Sequence, residues 1–274
     1  MNNVYIMSAN RSAIGGFGGT LKNHCPVDLG TLVAKEAIER SGFEANEVEH
    51  AVFGNVIHTE PRDMYVSRVI ALQAGMDKAS AALTVNRLCG SGLQAIVSAS
   101  QILMLGDASV AIAGGVEVMS NGAHIVQGFR WGSRMGNGQV HDMMLGALHD
   151  PFGHGHMGIT AENISSRYQI SREMQDEFAL NSQKRAYKAI ENGVFKDQIL
   201  PIEIKTRKGI EVFEIDEHPK PETSMETLKG LRTAFKKDGV VTAGNASGIN
   251  DGASAIVLAN EEKAKKGKPL ARIV

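Results

Sequence analysis

The chain has 274 residues, with 29 Lys and Arg against 30 Asp and Glu, a formal net charge of −1, and 43% hydrophobic and 22% charged residues. That length gives one large domain or two small ones, the composition supports a sizeable core and excludes a disordered chain, and near neutrality excludes a general nucleic-acid or acidic-membrane binder, which carries a basic excess. Two cysteines, Cys25 and Cys89, make no disulfide framework; no Cys/His spacing has zinc-site form, the start lacks the apolar core of a signal peptide, and no run approaches the ~18 apolar residues of a membrane span, so a soluble, cytoplasmic protein is expected, with no metal, nucleic-acid or membrane partner.

In chain order, Val4 to Ser8 reads as a strand, and Leu29, Leu32, Val33, Ala37 and Ile38 recur at helical spacing up to a Ser41-Gly42 stop. A second strand is expected from Ala51 to Ile57 and a second helix over 64–75. A third strand, Ala82 to Val85, runs into Asn86-Arg87-Leu88-Cys89-Gly90-Ser91-Gly92 and a long helix over 90–105. That helix is apolar nearly all round, as expected of an element buried on every side. Ser109 to Gly115 completes the pattern. Strands alternating with helices imply βαβ units and a layered α/β core.

The texture changes near Met119. Residues 119–158 are rich in Gly, His and Met with little periodicity, which is too long for an ordinary connector and points to a functional or separate subdomain. Ser171 is the expected N-cap of a helix with Glu173 in its first turn and Asn192-Gly193 at its end. Residues 199–240 mix short strands, charges and prolines. Ala253 to Ala259 returns to core-strand character, a short Glu/Lys helix follows, and Pro269 to Val274 looks like a strand beginning.

Cys89 is the sharpest chemical signal. It sits where a strand turns through small residues into a helix, facing the helix N-terminus, whose free N–H groups and partial positive charge favour a thiolate. Gly90 and Gly92 permit close approach by a substrate, and the same N–H groups can hold the oxygen of a tetrahedral intermediate. The competing reading is an inert buried thiol. Cys25, in Asn23-His24-Cys25-Pro26, is read as structural. His141, His149, His154 and His156 cluster without acidic ligands at matching spacing, so no metal is read there. Gly15-Gly16-Phe17-Gly18-Gly19 is similar to a phosphate-binding loop but lacks its Lys-Ser/Thr ending, and reads as a turn. Glu117 and Glu162 read as structural hydrogen-bonding residues.

Four segments carry a family resemblance. Val85 to Ile96 resembles the nucleophile motif of the thiolases. Ala113-Gly-Gly-Val-Glu-Val-Met-Ser120 resembles the stretch that leaves the thiolase core for its loop domain. Gly155-His156-Met157-Gly158 with Thr160 to Asn163 is similar to the family's His-Met-Gly segment, and Val241 to Gly252 to the segment that holds the pantetheine arm of coenzyme A. The order is the family's from residue 1 to 274, and Arg130 to Met135 with His141 to Pro151 resemble β-ketothiolases acting on short to medium acyl chains.

The resemblance implies an αβαβα layered fold, with a core over 1–118 and 250–268, an inserted loop domain over 119–249, and residues 269–274 opening a second core domain absent here. It implies an acyltransferase of fatty-acid metabolism that performs a Claisen condensation or its reverse, thiolysis, with Cys89 as catalytic nucleophile and coenzyme A thioesters as substrates, no bound cofactor, and a homo-oligomer. Carried over residue by residue, Ala243, Gly244 and Ser247 line the pantetheine channel. Leu148, His156, Met157, Leu231 and Phe235 form its apolar walls and its end near the thioester. Lys220 and Thr227 stand near the nucleotide. The family also uses an Asn-Glu-Ala-Phe segment, a Gly-His-Pro segment whose His activates the nucleophile, and a second Cys. None of these occurs in the 274 residues, so the chain is expected to be inactive alone, to expose an apolar face, and to seek a partner, including a separate C-terminal half. The alternatives are a non-catalytic thiolase-like chain binding acyl-CoA or a protein, and a decarboxylating ketoacyl synthase of the same fold.

Overall fold

The structure, a computed structural model, describes residues 3–132 and 134–274; Ser133, within the Arg130 to Met135 segment singled out above, lies outside them, as do Met1 and Asn2. The chain forms two compact units. The first comprises 3–122, 197–215 and 250–274, and the second 123–196 and 216–249.

The first unit contains β1 (Val4–Ser12), β2 (Gly15–Gly16), α1 (Pro26–Ser41), β3 (His50–Gly54), α2 (Val66–Gln73), β4 (Ala81–Val85), α3 (Ser91–Leu105), β5 (Val110–Val118), β10 (Ile199–Leu200), β11 (Ile202–Thr206), β12 (Gly209–Phe213), β13 (Asn250–Asn260), α8 (Glu261–Ala264) and β14 (Ala271–Ile273). Its main sheet runs β10-β1-β13-β5-β3-β4, with β14 also on β1 and β2 on β13. β3 is parallel to β4 and β5, while β13 is antiparallel to both β5 and β1. The parallel strands need crossovers, which α2 and α3 supply.

Two apolar faces follow from alternation along the strands. On one, Val4, Val52, Ala111, Ala113 and Leu258 meet Ala95, Ala99 and Leu103 of α3. Alanines at one side of the contact let the helix lie close to the sheet, and a fully buried Leu such as Leu103 contributes about 1.5–3 kcal/mol. On the other lies α1, whose buried stripe includes Val27, Gly30, Val33, Ala34, Ala37 and Ile38. A Cβ at Gly30 would overlap Ile70 of α2, so that glycine sets the α1–α2 approach. Ser8 Oγ donates to Ala37 O at 2.5 Å, tying α1 to β1. Gly42 ends α1 in the left-handed conformation at φ 77°, as the Ser41-Gly42 signal anticipates.

Four expectations need correcting. The helix over 90–105 is not buried on every side. Leu93, Val97 and Leu105 on α3 are exposed, because one face alone packs on the sheet. The window Leu88–Leu105 is also long and apolar enough to cross a membrane by length and composition, with a mean hydropathy of 1.5, against the reading that no run comes near this. Here α3 uses its apolar residues to cover a sheet. Third, the insertion is not one continuous stretch from 119 to 249. β10 adds to β1 in parallel through Arg11↔Ile199 and Ser12↔Leu200, which brings 197–215 into the first unit. Residues 271–273 likewise pair with Val4 to Ile6 of β1, so the last segment belongs to the first sheet.

The second unit contains β6 (His124–Val126), β7 (Val140–Asp142), α4 (Met143–Leu148), β8 (His149–Asp150), β9 (Gly155–His156), α5 (Met157–Tyr168), α6 (Arg172–Glu191) and α7 (Met225–Lys229). The helices of this unit are started by side-chain caps. Asp142 accepts from the N–H groups of Met144 and Leu145, and Ser171 accepts from Met174 N, as expected of it. α5 lies in a stretch whose first residues carry no readable periodicity.

Candidate functional site

The first unit presents Cys89 on the five-residue link between β4 and α3. The thiol is exposed, which removes the inert buried alternative. The link is built almost entirely from its own hydrogen bonds. Leu88 N donates to Asn86 Oδ1 (3.0 Å), Gly90 N to Arg87 O (3.1 Å) and Ser91 N to Leu88 O (3.0 Å). Ser91 Oγ accepts from Arg87 N (2.8 Å) and donates to Leu88 O (2.7 Å). Leu88 itself sits at φ 47°, a left-handed conformation costly for a leucine. Below the turn, Gly54 ends β3 where a Cβ would lie 2.7 Å from Ser91 Cβ and 2.8 Å from Ser91 C. Cys25 also stands at the start of a helix but differs in burial and contacts. It precedes α1, its Sγ accepts from Arg62 at 3.1 Å, and burial with the neighbouring Asp28 pushes its pKa up to about 11.

In the second unit, His156 is the centre of a ring cluster. Its ring stacks on Phe235 (centroids 4.7 Å apart, 22° between planes) and meets His149 edge-on at 5.1 Å. His156 caps α5, its Nδ1 accepting Gly158 N–H at 3.0 Å. That acceptor role fixes the proton of the neutral imidazole on Nε2. Desolvation, then repulsion from His149, holds the pKa of His156 below the ordinary histidine value. The side chain is therefore set up as a neutral Nε2–H donor. Gly158 is required here, because a Cβ would fall inside the Phe235 ring. Met157, half exposed, opens α5 beside this cluster, and Leu148 ends α4 one residue before His149. His154 is apart from it, 3.8 Å from Asp150 through Nε2.

A second group surrounds the 240–247 loop. A Cβ on Gly244 would lie 2.5 Å from Leu228 and 2.6 Å from Leu231, so these two leucines close over its backbone. Ala243 and Ser247 are exposed, and Ser247 Oγ donates to Gly248 O at 3.1 Å. The loop is held by residues whose role composition did not reveal. Buried Glu162 accepts from Val240 N and Val241 N, as its structural reading implies. Asp176, fully buried, accepts from Arg172 Nε (2.6 Å) and Asn245 Nδ2 (2.9 Å), while Asn245 Oδ1 accepts Thr242 N (2.8 Å). Arg172 also donates to Leu228 O and Leu231 O. The i, i+4 spacing of Arg172 and Asp176 on a capped helix was the available signal.

Thr227 and Lys220 stand farther out. Thr227 forms a reciprocal capping box with Ser224 at the start of α7, so its hydroxyl is committed to its own helix. Lys220 borders a shallow depression with Lys184, Tyr187 and Lys188 of α6, and its backbone N–H donates to Gln183 Oε1.

Residues 4–262 match the model of the thiolase N-terminal domain. The chain is 53% identical over 274 residues to beta-ketothiolase BktB of Cupriavidus necator, covering 99% of this chain and 70% of that protein. The chain belongs to the thiolase family. Mitochondrial 3-ketoacyl-CoA thiolase of Bos taurus is 41% identical over 277 residues, again 70% of its length. Among solved structures, this thiolase chain superposes on the Bacillus anthracis acetyl-CoA acetyltransferase at a TM-score of 0.96 with 48% identity, all of this chain and 70% of that one. On human mitochondrial 3-ketoacyl-CoA thiolase in complex with CoA the TM-score is 0.95 at 39% identity, with 69% of that chain covered. The mixed α/β sheet described above is thus the thiolase fold, and the chain is of acyltransferase type.

Proposed function

We propose that Cys89 is the acyl-accepting nucleophile of a thiolase acting on short to medium 3-ketoacyl-CoA, and that the second unit holds the CoA thioester. The Cys89 thiolate attacks the thioester carbonyl, the C–S bond to coenzyme A breaks, and the acyl group is left on the enzyme while coenzyme A departs as its thiolate and takes up a proton from solvent. In condensation, a second acetyl-CoA gives up its α-proton to the second cysteine that the family resemblance implies, and the resulting carbanion attacks the acyl carbonyl, displacing Cys89 as its thiolate and giving the 3-ketoacyl product; thiolysis runs the same steps backwards. Two easier transfers replace one hard one.

The observation that carries this reading is the exposed Cys89 on a strained turn directly before α3. The second unit supplies chemistry suited to the substrate. Leu231, Phe235 and Met157 offer apolar walls to the pantetheine arm, Ala243, Gly244 and Ser247 offer small side chains and backbone groups, and the Nε2–H of His156 is a hydrogen-bond donor for a carbonyl oxygen. Lys220 and Thr227 lie on the nucleotide side, Thr227 serving through α7 since its hydroxyl is already used. His156 is not the base in this scheme, because the lone pair on Nδ1 is occupied and Nε2 carries the proton.

Intact-mass analysis with acetyl-CoA tests the proposal. One acetyl group on Cys89, and none on Cys89→Ala, is expected. Multiple-turnover cleavage of acetoacetyl-CoA is expected only when polypeptide bearing the Gly-His-Pro and second-Cys motifs is supplied. Binding of acetyl-CoA without acylation would replace the enzyme reading by that of a binding chain.

The chain is also proposed to self-associate. Leu83 on β4 and Leu93, Val97 and Leu105 on α3 form exposed apolar surface in the first unit, and Phe129, Trp131 and Val140 do so in the second. A monodisperse monomer by light scattering would sink this part.

A further inference from the structure

We infer that Ser91 is a positioning residue for Cys89, its hydroxyl holding the left-handed turn at Leu88 that presents the thiol. The inference rests on the acyl-accepting reading of Cys89 and adds to it the group that fixes its geometry. Ser91 is buried, at 5% exposure, although it lies two residues from an exposed cysteine. A buried hydroxyl must spend its bonding capacity locally, and Ser91 spends it on both flanks of the turn. It accepts the Arg87 N–H at 2.8 Å and donates to Leu88 O at 2.7 Å. These two bonds bracket the one residue of the turn, Leu88 at φ 47°, whose backbone a leucine would otherwise leave. Leu88 is 55% exposed, so packing of its side chain is not what holds it there.

The hydroxyl is itself fixed from below. Gly54 at the end of β3 leaves no room for a side chain between itself and Ser91, a Cβ there lying 2.7 Å from Ser91 Cβ. β3 runs parallel to both β4 and β5 inside the sheet, so the first turn of α3 is referenced to a central strand. Position is thus passed from the sheet, through Gly54 and Ser91, to the peptide before Cys89. A nucleophile on a strained strand-to-helix turn needs such a brace, because relaxation of the turn swings the side chain away from the approach side.

The test is the rate of iodoacetamide alkylation of each cysteine in the folded chain, resolved by peptide mass, with Cys25 as reference in the same molecule. Ser91→Ala is expected to slow Cys89 by about fivefold or more with Cys25 unchanged, and Ser91→Thr, which keeps the hydroxyl, to return Cys89 to within about twofold. A circular-dichroism melt shows that each variant is folded at the assay temperature. Gly54→Ala, which displaces Ser91 while leaving its hydroxyl intact, is expected to slow Cys89 as well. Wild-type alkylation of Cys89 in Ser91→Ala, or equal slowing in Ser91→Thr, overturns the inference. The acyl-accepting reading fails by a different result: brisk alkylation of Cys89 in the parent chain with no acetyl group taken from acetyl-CoA.

Discussion

The two units are held together by different physics. In the first, buried positions are overwhelmingly aliphatic, with Val4, Val52, Leu103, Ile112 and Leu258 fully enclosed between sheet and helices. In the second, among the described residues, the buried apolar side chains are Met144, Leu180, Leu228 and Val241, and they are matched by the buried polar side chains Glu162, Ser165, Asp176 and Thr242. A packed apolar core is non-directional and tolerant of where a loop runs. A polar network is directional, and fixes a loop only while every partner is present. The unit that is proposed to recognise a ligand is the one built by bonds with direction.

Breaking each kind of core separates them. Leu258→Ala, which empties space between β1, β5 and α3, is expected to cost about 4 kcal/mol, seen as a lower midpoint in urea. Asp176→Ala strands Arg172 and Asn245 and is expected to cost about 3 kcal/mol. Its effect should be confined to the second unit, with faster amide exchange at 228–231 and 240–245 and unchanged exchange in β5 and β13. Equal loss of protection in both units would erase the distinction.

A titration sharpens it from the other side. Glu117 accepts from Val56 N (2.5 Å) and Ile57 N (3.2 Å), yet burial, aided by the charge of Asp63, pushes its pKa up to about 7. The folded state therefore binds a proton more tightly than the unfolded chain. Stability from this group is fully present below about pH 4.5 and is lost as pH rises through about 7. Glu117→Gln is expected to remove about 2 kcal/mol of that decline, read by denaturant unfolding between these limits. A slope unchanged by the substitution would discard the assignment. The smallest effect belongs to the second unit. His149→Ala removes the charge repulsion on His156, so the His156 titration followed by NMR should move upward, towards the ordinary value. A downward shift would mean the two rings do not repel.

What the sequence made legible follows the same division. The strand runs at 4–8, 82–85 and 109–115 and the stop at Ser41-Gly42 are visible because apolar alternation and helix punctuation are local and repeated. Cys89 and the ring of small residues beside it are visible for the same reason. By contrast, the hold of Asp176 on Asn245 spans 69 residues, and that of Glu162 on Val241 spans 79. Such pairings leave no periodic trace. The return of 197–215 to the first sheet leaves no such trace either, since β10 is only two residues long and its identity comes from pairing with β1. The outer face of α3 looked like core because hydrophobicity reports what a surface prefers to touch, while the fold decides what is there to touch it.

The edge of β1 has a further consequence. β14 occupies it along Val4 to Ile6 and β10 along Arg11 to Ser12, so two short strands from distant parts of the chain stand end to end and bar that side from strand addition. The opposite boundary of the sheet is β4, with no strand beyond it among the described residues. A sheet with one blocked and one open boundary can be extended once, by a second copy meeting it edge to edge, and then has no further growing end. Asymmetry of this kind lets a protein keep a sticky strand without becoming a monomer for a fibre.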